Sequence, residues 1–329
     1  MGHAFNHGVT NPFRIRLISD GCPSSRHRPG RPNLRFARIP APEPEGNHVT
    51  TTDRASAERR RVTADNTRVR HVELDGHQFT VHSLSSTSRA PELPTYLMVH
   101  GIGASYRYFR RMQQGLAVTG HTLSLDLPGF GGTRRPERPL AVEEYGTLIG
   151  RLLDHLEVPR VVVIGHSMGA QFVTELARQR PDAVSHLVLI GPVTDPRRAT
   201  AVQQAMGLTR DVVKESPSGN LIVFQDYLEC GPRWFSTELA LMLDYRTDLA
   251  LREVRSPTLV IRGVDDPVSG SDWCARLAAA APDGHLLEVA GHRHLVHHSA
   301  AAQTAAQIEG HARRHPSIAR PEQIALPER

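Results

Sequence analysis

Residues 161–180 read Val-Val-Val-Ile-Gly-His-Ser-Met-Gly-Ala-Gln-Phe-Val-Thr-Glu-Leu-Ala-Arg-Gln-Arg, and this stretch decides the fold. Its first four residues are β-branched and predict a short buried parallel strand. Gly165-His166-Ser167-Met168-Gly169 fits the pattern G-x-S-x-G, and residues 170–180 predict a helix that ends before Pro181. Glycines are expected on both sides of the serine because its backbone is strained and neighbouring chains approach too closely for a β-carbon.

Strand and helix patterns alternate along the rest of the chain. Val69 to Leu84 predicts a hairpin with Asp75-Gly76 as its two-residue turn. Further strands are predicted at residues 95–100, 121–126, 160–165, 186–190, 257–262 and 285–289, and helices at residues 106–118, 141–156, 168–180, 271–280 and 299–314. This alternation predicts an α/β fold with a mostly parallel central sheet and helices on both faces.

Four other segments, taken with the serine pentapeptide, resemble the α/β-hydrolase superfamily over about residues 68–312. Val99-His100-Gly101-Ile102-Gly103-Ala104-Ser105 resembles the segment after the third strand that carries the second oxyanion donor, and residues 126–133 resemble the loop after the fourth strand. Residues 258–268 resemble the strand and loop that present the acid, and Ala290-Gly291-His292 resembles the loop that presents the histidine. The resemblance implies an α/β-hydrolase fold with a helical cap insertion.

The resemblance also implies a catalytic triad of Ser167, Asp266 and His292, in the chain order expected for this fold. A serine hydroxyl is a poor nucleophile until a base takes its proton. We expect His292 to be that base because it follows the last predicted strand, with His294 as the alternative if the loop register differs.

The acid holds the imidazole in the correct tautomer and stabilises its charged form. Asp266 stands three residues after Gly263 and just before Pro267, which is the family position for the acid. Asp265 and Asp195 are the alternatives.

By the family pattern, the oxyanion hole is formed by the backbone N–H groups of Ile102 and Met168, the latter directly after the nucleophile. His100 and His166 flank the site and are expected to bond to loop backbone rather than to substrate. Asp126 is expected to hold its own loop by accepting backbone hydrogen bonds.

Four histidines, His292, His294, His297 and His298, form the pattern H-x-H-x-x-H-H, which resembles a metal cluster. Neither cysteine nor carboxylate joins it locally, so we expect no metal site there. No organic cofactor is implied either.

The charge and composition exclude several protein classes. The chain has 329 residues and a formal net charge of +5, and residues 1–60 hold ten arginines against five acidic residues, which accounts for all of it. The remaining chain is about neutral, which gives no case for nucleic-acid binding. Lys214 is the only lysine, a bias more typical of codon composition than of a binding site.

Cys22, Cys230 and Cys274 are too few and too scattered for a disulfide framework or a metal site. No apolar run approaches the ~18 residues that a membrane span needs, and the N-terminus lacks the apolar segment of a secretory signal. We therefore expect a cytoplasmic protein without a membrane or nucleic-acid partner; the sequence does not predict its oligomeric state.

The predicted organisation has five parts. Residues 1–61 are rich in Arg, Pro, Gly and Ser and are predicted to be a largely disordered extension. Residues 62–194 and 256–315 form the two parts of the core, and residues 316–329 form a tail. Residues 195–255 are too long for a simple connection and are predicted to form a helical cap over the ligand-binding edge of the sheet.

These features together predict a serine hydrolase that cleaves a small or medium carboxylic ester or a related acyl substrate through an acyl-enzyme on Ser167. C–C bond hydrolases, lactonases, thioesterases and cofactor-free haloperoxidases use the same triad and stay open as alternatives, as does a hydrolase-like binding protein. Haloalkane dehalogenases and epoxide hydrolases are excluded because they need an aspartate where this chain has Ser167.

Overall fold

The computed structural model describes residues 13–17, 35–36, 67–86, 88, 93–198 and 217–315, with the backbone alone for the first two ranges. Ten strands form one sheet in the order β2-β1-β10-β9-β8-β7-β5-β6-β4-β3. The strands are β1 Phe13–Leu17, β2 Arg35–Phe36, β3 Thr67–Leu74, β4 His77–Leu84, β5 Thr95–Val99, β6 His121–Asp126, β7 Val161–His166, β8 Val184–Ile190, β9 Thr258–Gly263 and β10 Gly284–Val289.

The six strands from β6 to β10 along the sheet are parallel, whereas β3 and β4 pair antiparallel at one edge. Every residue of the central strand β7 is buried, as expected of a parallel strand that is covered on both faces. The predicted turn at Asp75-Gly76 is confirmed: both residues have positive φ angles, 52° and 76°, as a tight hairpin turn requires.

Helices cover both faces of the sheet, which confirms the predicted α/β architecture. One face packs against Tyr145, Phe172 and Leu277 and their neighbours, and the other against Met112 and Ile308. The helices are α1 Arg110–Leu116, α2 Val142–His155, α3 Gly169–Gln179, α4 Pro217–Cys230, α5 Pro232–Asp244, α6 Thr247–Ala250, α7 Ser271–Ala280, α8 Val296–Ser299 and α9 Ala301–Arg314.

Two short strands lie within residues 1–61, which the sequence predicted to be a largely disordered extension. Strand β1 pairs antiparallel with β10, from Phe13 opposite Val289 to Arg16 opposite Leu286, and β2 pairs with β1. The physical reason lies in the sequence Phe13-Arg14-Ile15-Arg16-Leu17, which alternates apolar and basic residues with the period of a strand. The backbone groups on the outer edge of β10 thereby gain a partner.

Helices α4 and α5, called the cap helices below, lie between β8 and β9 in the chain, where the cap was predicted. Residues 199–216 of that prediction, the 316–329 tail and most of the 1–61 extension lie outside the described residues. The five domain boundaries stay a prediction. No helix in the described part of the chain has the length and apolar character needed to cross a bilayer.

Candidate active site

The turn between β7 and α3 holds Ser167 in a left-handed backbone conformation with φ 55°, which a residue with a β-carbon adopts rarely. A β-carbon on Gly165 would collide with the carbonyl oxygen of Gly169, and one on Gly169 would collide with that of Val99. The two flanking glycines are therefore required by close backbone approach, as the sequence predicted. The N–H of Ser167 donates to the carbonyl of Ile190 at 3.0 Å, which fixes the turn on the end of β8.

Asp266 lies in the loop after β9 with its carboxylate fully buried. Its Oδ1 accepts hydrogen bonds from the backbone N–H groups of Val268, at 2.8 Å, and Ser269, at 2.9 Å. Three hydrogen bonds in total satisfy the buried charge, because Oδ2 lies 2.9 Å from Nδ1 of His294. The carboxylate thus uses Oδ1 to bind its own loop and directs Oδ2 at the imidazole of His294.

In the structure, His294 rather than His292 is hydrogen bonded to Asp266. A β-carbon built on Gly191, the residue after β8, would lie 3.1 Å from Cε1 of His294 and 3.5 Å from Oδ2 of Asp266. Because Ser167 is bonded to Ile190, the imidazole of His294 is beside the serine turn. Nδ1 of His292 instead lies 2.8 Å from the hydroxyl of Ser299.

The path of the loop explains why His294, rather than the predicted His292, is hydrogen bonded to Asp266. The carbonyl of His292 accepts a hydrogen bond from the N–H of Asp265 at 3.0 Å, so the chain is still passing over the end of β9 at this point. Neighbouring strands lie about 4.8 Å apart, and two more extended residues span about 7 Å. Those two residues carry the chain to the end of β8, where His294 meets the serine turn.

The two alternative acids lie elsewhere. Asp265 is exposed. Asp195 accepts a hydrogen bond from Nη2 of Arg276 at 2.6 Å and another from the N–H of Arg197. Neither carboxylate is bonded to His292 or His294 in the described part of the chain.

The loop after β5 packs directly on the serine. A β-carbon on Gly101 would lie 2.9 Å from Cβ and 3.4 Å from Oγ of Ser167. Ile102 follows Gly101 in this loop, and Met168 follows Ser167 at the start of α3; both are buried. The role of their backbone N–H groups as oxyanion donors stays a prediction.

His100 has the backbone-bonding role predicted for it. Its Nδ1 donates to the carbonyl of Gly101 at 2.8 Å, and its Nε2 accepts from the N–H of Leu127 at 3.1 Å. Burial lowers the pKa of His100, so the ring is a neutral clamp between two loops. Asp126 departs from its predicted role: it bonds Nε2 of His82 at 2.8 Å and the N–H of Tyr106 at 2.8 Å, and so joins other segments to the sheet.

A chain of hydrogen bonds links the oxyanion loop to the histidine loop through Tyr108. The N–H of Gly101 donates to the Tyr108 hydroxyl at 2.7 Å, and that hydroxyl lies 3.0 Å from Nδ1 of His166. Nε2 of His166 donates to the backbone carbonyl of His294 at 3.1 Å. Sequence reasoning missed Tyr108, since a tyrosine in a short 3₁₀ turn carries no motif.

Both His166 and the neighbouring His297 are fully buried, and burial lowers the pKa of each well below its usual value. Their rings lie 4.2 Å apart. His298 bonds the carbonyl of Tyr108 and the hydroxyl of Ser218. Within the described residues, the H-x-H-x-x-H-H pattern does not bring three ring nitrogens to one point.

Aromatic side chains of the cap helices lie over the two loops beside the serine. A β-carbon on Gly103 would lie 2.7 Å from the ring of Tyr227, and one on Gly129 would lie 2.6 Å from Nε1 of Trp234. Phe235 packs on Tyr227 with ring centroids 5.2 Å apart. The roof over the oxyanion loop is therefore largely apolar.

The cap helices are attached to the core by a buried carboxylate that the sequence did not reveal. Asp226 accepts a hydrogen bond from the Ser105 hydroxyl at 2.8 Å and lies 3.2 Å from Nη1 of Arg107. Burial raises its pKa to about 6 against the opposing effects of these two partners. The contact joins α4 to the loop that carries Ile102.

Comparison with known proteins agrees with this architecture. Residues 94–222 match the family model described as the alpha/beta hydrolase fold. A 2-hydroxy-6-oxononadienedioate/2-hydroxy-6-oxononatrienedioate hydrolase of Cupriavidus pinatubonensis is 26% identical over 250 residues, which are 65% of this chain and 85% of that protein. A probable 1-acylglycerol-3-phosphate O-acyltransferase of Oryza sativa is 33% identical over 106 residues, but the chain spans only 25% of its length. The crystal structure of a bacterial membrane phospholipase A superposes with a TM-score of 0.65 and 18% identity, over 80% of this chain and 90% of that one.

Proposed function

Since this chain belongs to the α/β-hydrolase superfamily, we propose that it is a serine hydrolase that forms an acyl-enzyme on Ser167. His294 takes the serine proton as the hydroxyl attacks the carbonyl carbon, and it returns that proton to the leaving group. Water then attacks the acyl-enzyme, again with His294 as the base. Proton transfer by a positioned base contributes typically ~10²–10⁴-fold.

The observation that carries this proposal is the buried contact of 2.9 Å between Nδ1 of His294 and Oδ2 of Asp266, beside the left-handed Ser167. The carboxylate fixes the imidazole with Nε2 as its basic nitrogen and stabilises the imidazolium that forms. Negative charge that develops on the substrate oxygen is placed between the N–H groups of Ile102 and Met168. One such donor is typically worth ~10²–10³-fold in turnover.

We propose a small or medium carboxylic ester, or a related acyl compound, as the substrate. Tyr227 and Phe235 cover the oxyanion loop, and Trp234 covers the neighbouring loop at Gly129; this apolar surface favours an apolar acyl group. Hydrolysis needs neither a cofactor nor a metal at Ser167. Burial of Cys230 and Cys274 as free thiols supports a reducing compartment and the predicted cytoplasmic location.

A second candidate is C–C bond hydrolysis, favoured by the similarity to the Cupriavidus hydrolase. A carboxylate-bearing diketone would need an arginine directed at the site. Arg246 is paired with Asp248 through two hydrogen bonds, at 2.9 and 2.8 Å, and Arg233 is exposed. These observations favour the ester; Arg210, the third cap arginine, lies outside the described residues.

The test is labelling of the purified full chain with a fluorophosphonate, followed by mass mapping of the adduct. We expect one adduct on Ser167 in the wild type and in His292→Ala, and none in Ser167→Ala or in His294→Ala. Retention of the circular dichroism spectrum identifies variants that still fold. Absence of an adduct in folded wild type would contradict the proposal.

Substrate class is tested on the same proteins. We expect p-nitrophenyl acetate and butyrate to be cleaved with a kcat/KM at least 100-fold above that of Ser167→Ala. If a vinylogous diketone acid is hydrolysed faster than both esters, C–C bond hydrolysis replaces ester hydrolysis as the proposed reaction. Labelling of Ser167 without turnover of any substrate would instead favour the binding-protein alternative.

A further inference from the structure

Three histidines lie close together at the amino-terminal ends of the parallel strands, whereas Ser167 follows the carboxyl-terminal end of β7. His285 is the second residue of β10, and His311 and His315 stand four residues apart at the end of α9, on one side of the helix. One ring nitrogen from each lies within 4.8 Å of the other two. These residues, called the three-histidine cluster below, take no part in the serine chemistry.

Two of the three rings are hydrogen bonded in the manner of metal ligands. Nε2 of His285 lies 2.9 Å from Oδ1 of Asp283, so it carries the proton and leaves Nδ1 as the lone-pair nitrogen. His311 donates to the backbone carbonyl of Pro257. Metal-ligating histidines almost always donate their other ring N–H to a carboxylate or a carbonyl, which fixes the tautomer.

The remaining nitrogens are buried and lack a hydrogen-bond partner among the described residues. Both Nδ1 of His285 and Nε2 of His311 have this environment. A buried polar atom without a partner costs on the order of 1–3 kcal/mol, so this arrangement calls for a ligand.

The cluster surrounds a recess of about 40 Å³, which the side chains of Leu259 and Gln307 also line. That volume holds one ion with a water molecule, whose share of liquid volume is about 30 Å³. His315 is half-buried and follows the end of α9. Nε2 of His186 on β8 donates to the carbonyl of His315 at 2.6 Å and holds that residue on the sheet.

We propose that the three-histidine cluster binds a borderline divalent transition metal, Zn²⁺ foremost. Imidazole nitrogens suit Zn²⁺, Ni²⁺ and Cu²⁺, whereas Mg²⁺ and Ca²⁺ require oxygen ligands. Three nitrogens at 2.0–2.1 Å leave a fourth position for water. Asp283 compensates part of the charge, and Arg314, which also lines the recess, is turned back along the helix onto Gly310. In the proposed site, the ion connects the end of α9 to the start of β10.

The test is equilibrium dialysis of the tag-free full chain against buffered Zn²⁺, with the bound metal measured after each step. We expect one ion per chain in the wild type. His285→Gln and His315→Gln should each weaken binding by at least ~100-fold, and Asp283→Asn by ~10–100-fold, the usual cost of removing a partner of a metal-bound histidine. His155→Gln, a change at an exposed histidine on α2, is the matched control and should bind as the wild type does.

Location is read from an anomalous difference map collected above the zinc absorption edge, which should show a peak between His285 and His311. Circular dichroism identifies any variant that has lost its fold; His315→Gln keeps the test valid if the buried ligands cannot be replaced. Equal binding in all variants, a peak at His294 instead, or no wild-type binding below about 100 µM Zn²⁺ would overturn the proposal. None of these readouts depends on hydrolase activity.

Discussion

Replacing His294 and His292 separately by alanine tests which histidine acts as the base. His294→Ala removes the group proposed to take the proton of Ser167, and we expect kcat/KM to fall by about 10²–10⁴-fold. At 1.36 kcal/mol per tenfold, that is about 3–5 kcal/mol of transition-state stabilisation. The fold should survive because Asp266 keeps its hydrogen bonds from the N–H groups of Val268 and Ser269, at 2.8 and 2.9 Å.

His292→Ala removes a half-buried ring with one hydrogen bond, to the hydroxyl of Ser299 at 2.8 Å. A typical intramolecular hydrogen bond contributes about 0.5–1.5 kcal/mol to the free energy of unfolding. We therefore expect a small loss of stability and a kcat/KM within about threefold of the wild type, since the hydrogen bond of 2.9 Å between His294 and Asp266 is unchanged.

The assay is the initial rate of p-nitrophenyl butyrate hydrolysis at 25 °C, with urea unfolding of each variant measured in the same buffer. Stability separates a lost base from a lost fold, because only the former lowers kcat/KM while the unfolding midpoint is maintained. A loss of 100-fold or more in His292→Ala, together with more than a tenth of wild-type activity in His294→Ala, would refute the assignment.

Three further predictions follow from buried groups around the site. Burial raises the pKa of Glu238 to about 8 from a usual 4.5, so the folded protein holds this proton more tightly than the unfolded chain does. The contribution of this group to the free energy of unfolding is complete below pH 4.5 and falls by roughly 5 kcal/mol as the pH rises to about 8. The free energy of unfolding measured in urea should therefore depend less on pH in Glu238→Gln than in the wild type. Gly101→Ala should lower kcat at least tenfold because its β-carbon displaces the nucleophile, whereas Gly150→Ala, which meets ordinary contacts, should retain wild-type kcat. Tyr108→Phe removes the hydroxyl between two buried partners, one of them His166, and should lower the free energy of unfolding by about 1–3 kcal/mol; a change below 0.3 kcal/mol in urea titration would contradict that.

The serine turn could be predicted from the sequence because its determinants are local. Residues 161–169 contain the buried strand, the strained serine and both glycines, and the structure reproduces each of them. The base could not be assigned in the same way. Which histidine meets Asp266 depends on how the loop after β10 passes the end of β9, where the N–H of Asp265 donates to the carbonyl of His292 in the other loop.

Strand β1 was missed for a similar reason. Five alternating residues in an Arg- and Pro-rich segment are weak evidence for a strand, and their partner Val289 lies more than 270 positions along the chain. The three-histidine cluster shows the same limit: His311 and His315 are visibly one helical turn apart, but the sequence does not show that His285 starts the strand beside them. In each case the missing information is a contact between distant segments.

Four histidines lie around the serine turn, and the hydrogen bond to Asp266 is the reason that we propose His294 among them as the base. His100, His166 and His297 are buried, and burial holds the pKa of each below its usual value, which disfavours the charged form of each ring. Only a ring with a fixed counter-charge can accept the serine proton in such an environment, and among these four His294 is the one bonded to a carboxylate. His100 and His166 instead hold loops in place through hydrogen bonds to the backbone, and the proposed proton transfer is left to the single ring that has a carboxylate partner.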